Sequence, residues 1–75
     1  MPELRSVSGQ QAIKALERLG FKQVRQRGSH VVLKKSTPTG HTGCVVPLHT
    51  QLKIGTLRGI LKLAKVDPED FLKNL

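Results

Sequence analysis

The chain has 75 residues, with 13 Lys or Arg against 5 Asp or Glu, a formal net charge of +8, and one cysteine. A chain of this length makes one domain, taken as residues 1–75, and buries only roughly 60% of its unfolded surface. With Cys44 alone it forms no internal disulfide, it lacks the carboxylate cluster that a hard-cation nuclease needs, and no stretch approaches a membrane span.

The start, Met1-Pro2-Glu3-Leu4-Arg5, does not read as a signal peptide, because no apolar run follows the charge. An unpaired cysteine suits a reducing compartment, so the expectation is a soluble cytoplasmic protein. Ser8 is a good N-cap, and Gln11 three residues on completes a capping box. Ala12, Ile13, Leu16 and Leu19 recur at helical spacing, and Gly20 supplies a stop. The first helix is placed at about Ser8 to Leu19, with Lys14 and Arg18 on its polar face.

Phe21 to Gln26 reads as a strand whose apolar residues are Phe21 and Val24. Arg27-Gly28-Ser29 turns the chain. A second strand runs from about His30 to Lys35, β-branched and aliphatic in its middle. His30, Val32 and Lys34 share one face, and Val31, Leu33 and Lys35 the other. Both faces hold apolar residues, so the pattern leaves open which one meets the core. Ser36 to Gly43 is rich in Thr, Gly and Pro and reads as a loop. Cys44 to Val46 reads as a third strand closed by Pro47. Short links between three strands predict an antiparallel meander.

Leu48 to Lys53 is a connector that carries His49. Leu57, Ile60, Leu61 and Ala64 then give the cleanest amphipathic helix in the chain, with Arg58, Lys62 and Lys65 on its polar side. Asp67-Pro68 restarts a short helix, and Glu69 and Asp70 favour its first turn. Phe71, Leu72 and Leu75 form its apolar edge. The predicted fold is α+β: a two-layer α-β-β-β-α domain with helices on one face and a short extra C-terminal helix. The double-stranded-RNA-binding fold has the same order.

Charge distribution points to the partner. The acids are Glu3, Glu17, Asp67, Glu69 and Asp70, all toward the two ends. Between Glu17 and Asp67 lie ten Lys or Arg and no acid. Such a field is the usual footprint of a nucleic-acid binder. The phosphate-contact candidates are Arg25, Arg27, Lys34, Lys35, Arg58 and Lys62. With no Trp or Tyr the chain lacks the stacking platform of single-strand readers. His41-x-x-Cys44 has a zinc-like spacing, with His49 nearby, but a structural zinc site wants four ligands and the confirming context is missing. No metal and no cofactor is expected.

Metal-free chemistry on a polyanion remains. Histidine is the natural acid or base near neutral pH, and RNA carries its own nucleophile in the 2′-hydroxyl. One proton acceptor, with Lys or Arg to steady the developing phosphorane charge, suffices. Composition therefore favours RNA over DNA and leaves two readings, a nuclease and a plain RNA-binding module. His30, between a Gly-Ser turn and a strand, is the candidate for the chemistry.

Four stretches carry a family resemblance: Leu19-Gly20-Phe21; Arg27-Gly28-Ser29-His30; Val45-Val46-Pro47-Leu48-His49; and Gly55-Thr56-Leu57-Arg58 with Lys53 before it and Ile60-Leu61 after it. In this order, over nearly the whole chain, they resemble the HicA (YcfA-like) toxins of bacterial HicA–HicB toxin–antitoxin systems. The resemblance implies a fold similar to double-stranded-RNA-binding domains, a ribonuclease that cleaves mRNA, and a HicB-type antitoxin as partner. It implies that His30 is catalytic, with Ser29 and His49 as supporting residues. The chain departs from the family at Ile54, where relatives often have Pro. The alternative is a non-catalytic double-stranded-RNA-binding module, which would gain if His30 lay buried against the helices.

Overall fold

A computed structural model describes residues 4–75. The reading of the N-terminal residues Met1 to Glu3, including the acid Glu3, lies outside them. Helix α1 spans Gly9–Arg18, followed by β1 (Lys22–Arg27), β2 (His30–Thr37), β3 (Gly40–Pro47), α2 (Ile54–Ala64) and α3 (Pro68–Lys73). The expected α+β order is present, with the strands in one antiparallel sheet of order β1-β2-β3.

Local chemistry sets the helix bounds. The Ser8 hydroxyl accepts the Gln11 N–H, and the Gln11 side chain returns the bond to the Ser8 N–H, which completes the capping box. Gly20 stops the helix at φ +102°. In α2 the buried residues are Leu57, Ile60, Leu61 and Ala64, as the periodicity requires. Ile54 is its first residue, the position at which proline is tolerated because the N–H has no helical partner. Asp67 caps α3 through the Glu69 N–H, and Pro68 opens it.

Alternation on the middle strand divides the sheet. Val31 and Leu33 are buried, and so are their partners Val46 and Cys44 on β3. These four meet Leu16 of α1, Leu57 and Leu61 of α2 and Phe71 of α3 in one apolar cluster. Both long helices therefore cover the same face. The question left open by the pattern is answered: Val31 and Leu33 face the core, and His30, Val32 and Lys34 face away. Leu52 is also fully buried, although its segment reads as a plain connector. It is tied there by its N–H to the Val7 carbonyl (2.7 Å) and by Ser6 Oγ to its own carbonyl (3.2 Å). The α3 end is held to α1 by Arg18 Nη1 donating to the Asn74 carbonyl.

Two expectations are corrected. Ser36 to Gly43 is not a loop: β2 runs on to Thr37, β3 begins at Gly40, and only Pro38 and Thr39 make the turn. Pro38 presets φ at the first turn position, and Gly40 takes φ +143° to rejoin the ladder. Eight consecutive cross-strand pairs, His30–Pro47 to Thr37–Gly40, outweigh the weak strand propensity of the segment. In β1, Phe21 precedes the strand and is buried, while Val24 is 53% exposed. No residue of β1 is buried.

Candidate functional site on the open face of the sheet

The turn between β1 and β2 has two central residues, Gly28 and Ser29. Only Gly28 has positive φ (+55°), the pattern of a II′ hairpin turn, which a Cβ at that position would strain. Gln26 Nε2 donates to the Gly28 carbonyl (3.0 Å), and the Leu48 N–H donates to the Ser29 carbonyl (2.7 Å). The turn is thus fastened to both neighbouring strands. His30 follows as the first residue of the middle strand, paired with Arg27 on one side and Pro47 on the other. Its side chain is exposed, on the sheet face that carries no helix.

A β-bulge decides which cations join it. The β1–β2 ladder runs Lys22–Lys34 and Gln23–Leu33, skips Val24, and resumes at Arg25–Val32, Gln26–Val31 and Arg27–His30. Paired residues share a face. The extra residue therefore puts Lys22, Arg25 and Arg27 together on the open face, and Gln23 and Gln26 on the helix side beside α1. Strict alternation would have sent Lys22 and Arg25 to opposite faces. The open face thus carries His30, Lys22, Arg25, Arg27 and Lys34 around a central Val32–Val45 pair. Among the described residues, no acid lies on any of the three strands.

The other candidates lie elsewhere. Lys35 points to the helix side, its Nζ 5.8 Å from the centroid of the Phe21 ring. Arg58 and Lys62 are exposed on the outer side of α2, in the helix layer and away from His30. The six proposed phosphate contacts therefore divide into Arg25, Arg27 and Lys34 on the face of His30, and three that do not share it. Lys22 is the cation that sequence reasoning missed, because the bulge carries no glycine or proline to announce it.

His49 lies two residues beyond β3 with an exposed side chain. Its backbone does defined work: its carbonyl accepts the Gly9 N–H (2.9 Å), one of the free donors at the start of α1. A Cβ on Gly9 would come to 2.1 Å from the Pro47 carbonyl oxygen, so glycine is what lets α1 dock on the end of β3. Ser29 places only its carbonyl in this frame; its side chain is exposed. Cys44 is buried on the covered face, and burial pushes its thiol up to about 11. Such a thiol stays protonated and is a poor nucleophile. His41 is three residues away on the same strand and so falls on the opposite face, which separates the two residues of the zinc-like spacing.

These observations define a class: a small, basic, two-layer α+β protein that presents a histidine among cations on an uncovered sheet face. A family model described as the HicA toxin of bacterial toxin–antitoxin systems matches residues 9–66, from the first residue of α1 to just beyond α2. The chain belongs to the HicA toxin family, and it is a toxin of a toxin–antitoxin pair. A search of curated proteins returned no match. Among the described residues, no helix is long and apolar enough to cross a membrane.

Proposed function

We propose that the protein is a metal-independent endoribonuclease that cleaves mRNA at His30, and that residues 1–75 act as one toxin domain. The observation that carries the proposal is the placement of His30 on a fastened turn, exposed, with Arg27 as its direct cross-strand neighbour and Arg25 farther along the same face. In the reaction the 2′-oxygen of the RNA attacks the adjacent phosphorus and loses its proton. The bond from phosphorus to the 5′-oxygen breaks, and that oxygen takes up a proton. His30 serves one of these transfers, and the guanidinium groups of Arg25 and Arg27 stabilise the charge that gathers on the phosphoryl oxygens. The products carry a 2′,3′-cyclic phosphate and a 5′-hydroxyl.

Arg25 and Arg27 contact the RNA backbone beside the cut, and Lys34 contacts it farther along the same face. Lys35, Arg58 and Lys62 belong to the helix side, where they offer a separate contact with a longer or folded RNA. Ser29 and His49 support the site through the main-chain bonds that fasten the turn and α1. The alternative, a non-catalytic double-stranded-RNA-binding module, would gain from a His30 packed against the helices; its exposure on the other face favours the nuclease. Purified protein is expected to cut RNA in EDTA, to leave DNA intact, and to spare RNA with a single 2′-deoxy substitution at the cut site. Mass spectrometry of the fragments is expected to find cyclic-phosphate ends. A strict Mg²⁺ requirement, or cutting at the 2′-deoxy position, sinks this mechanism.

The partner is a HicB-type antitoxin that covers the open face. A +8 protein attracts an acidic partner at a rate that falls as salt rises. RNA and antitoxin are expected to exclude one another in a competition titration. A ternary complex with RNA still on the open face overturns direct occlusion.

A further inference from the structure

We propose that the hollow at the far end of the open face, walled by Lys22, Lys34, Ser36 and His41, is a second phosphate subsite for the RNA strand cut at His30. The inference rests on the ribonuclease reading above. Along β2, Lys34 lies about 13 Å and Ser36 about 20 Å from His30, at roughly 3.3 Å per residue. The hollow therefore holds backbone a few nucleotides from the scissile bond.

Four observations converge on it. The space is about 500 Å³, and Gly43, the partner of Lys34 on β3, contributes no side chain to fill the face. Lys22, Lys34 and Lys35 line it together with the Ser36 hydroxyl and the His41 imidazole, a set suited to phosphate oxygens. Lys22 and Lys34 are direct cross-strand partners, and like charges so placed oppose folding. The only ion pair among the described residues is Lys73 with Glu69, far off on α3, so no described acid relieves that repulsion. Finally, Lys22 reaches this face only through the bulge at Val24. A fold that interrupts a strand to set two like charges together breaks two local rules at one place, as functional sites do.

An RNA strand, and not a lone phosphate ion, is the occupant, because the hollow shares its face with His30 and Arg25 lies between them. One strand crossing the Val32–Val45 pair meets cations at both ends.

The test uses the full chain with His30→Ala, which keeps RNA intact during titration. Into it go either Lys22→Gln with Lys34→Gln, or Lys14→Gln with Lys73→Gln, an equal loss of charge from the helix layer. A 12-nucleotide single-stranded RNA and a dinucleotide are titrated by NMR at several salt concentrations. The Lys22/Lys34 pair is expected to weaken the 12-mer on the order of tenfold and to lower its salt slope by roughly 1.4, at about 0.7 per phosphate contact on single strands. Dinucleotide binding is expected to stay unchanged, and so is 12-mer binding in the Lys14/Lys73 pair. Equal loss in both double variants, or equal loss for both RNAs, overturns the subsite. Cleavage is assayed separately without His30→Ala. RNA left uncut sinks the nuclease reading together with the subsite's place in it, whereas cleavage in which Lys22→Gln/Lys34→Gln changes nothing sinks the subsite alone.

Discussion

The two faces of β2 obey different rules. On the covered face, Val31 and Leu33 are chosen by packing: each is buried, and each pairs with another buried residue. On the open face, His30, Val32 and Lys34 are held by the same backbone but lie outside the core cluster. The rigidity of the covered face fixes the geometry of the open one. Residues one position apart are therefore expected to fail in different ways when replaced, the covered ones through folding and the open ones through chemistry.

The widest separation is expected from His30→Ala. It should lower RNA cleavage by 10² to 10⁴, the usual worth of a general acid or base. Urea unfolding should shift by less than about 0.5 kcal/mol, as for a surface change. Leu33→Ala, three residues on, is the reciprocal. It should cost about 2–5 kcal/mol of stability and leave cleavage by the remaining folded fraction close to normal. Wild-type cleavage in His30→Ala, or a large stability loss there, would break the comparison.

Glycines sharpen it further. Gly9→Ala forces a methyl against the Pro47 carbonyl and is expected to cost about 1–3 kcal/mol. Gly59→Ala, in the interior of α2 with no atom within 4 Å of the added carbon, is expected to stabilise by up to about 1 kcal/mol. Thermal unfolding of the two variants should therefore move in opposite directions, and movement in the same direction would refute the close approach of α1 to β3.

The smallest effect is an alkaline one. The Cys44 thiol is at about 11 in the fold against an ordinary 9.0. Its folded value is raised, so its stabilisation is complete below pH 9 and is lost as pH climbs toward 11. At pH 10 the loss is on the order of 1 kcal/mol. Cys44→Ala should lack that component, so the wild-type advantage over it should shrink from pH 8 to pH 10. A constant difference across that range would count against a buried thiol.

Much of this division was legible in the residues. The capping box at Ser8, the apolar stripe of α2, the Asp67-Pro68 start and the Gly28-Ser29 turn are each set by neighbours within four positions, and each stands where local chemistry put it. The misses are all non-local. Ser36 to Gly43 has turn composition throughout, yet most of it is strand because a partner pairs with it across the hairpin. Leu52 is core because Ser6 and Val7, more than forty residues earlier, hold its backbone in place. Strand pattern could group His30 with Lys34 but could not say which face was covered, since that depends on where the helices return. Arg25 and Arg27 were candidates from charge alone; their sharing a face with Lys22 depends on one unpaired residue.

That residue, Val24, also bears on how relatives of this chain should be aligned. Phe21 faces the helices because the bulge resets the alternation between it and Arg25. Losing Val24 itself would leave Gln23–Leu33 and Arg25–Val32 as consecutive pairs of a regular ladder, with Phe21 still toward the helices and Lys22 still on the open face. A gap placed there is therefore neutral for both faces. A homologue that lacks the position should keep an apolar residue at 21 and a polar one at 22. A homologue that keeps a residue at 24 but pairs it in a regular ladder is the one in which position 21 turns out to solvent and position 22 goes under α1, with a polar residue at the first and an apolar one at the second.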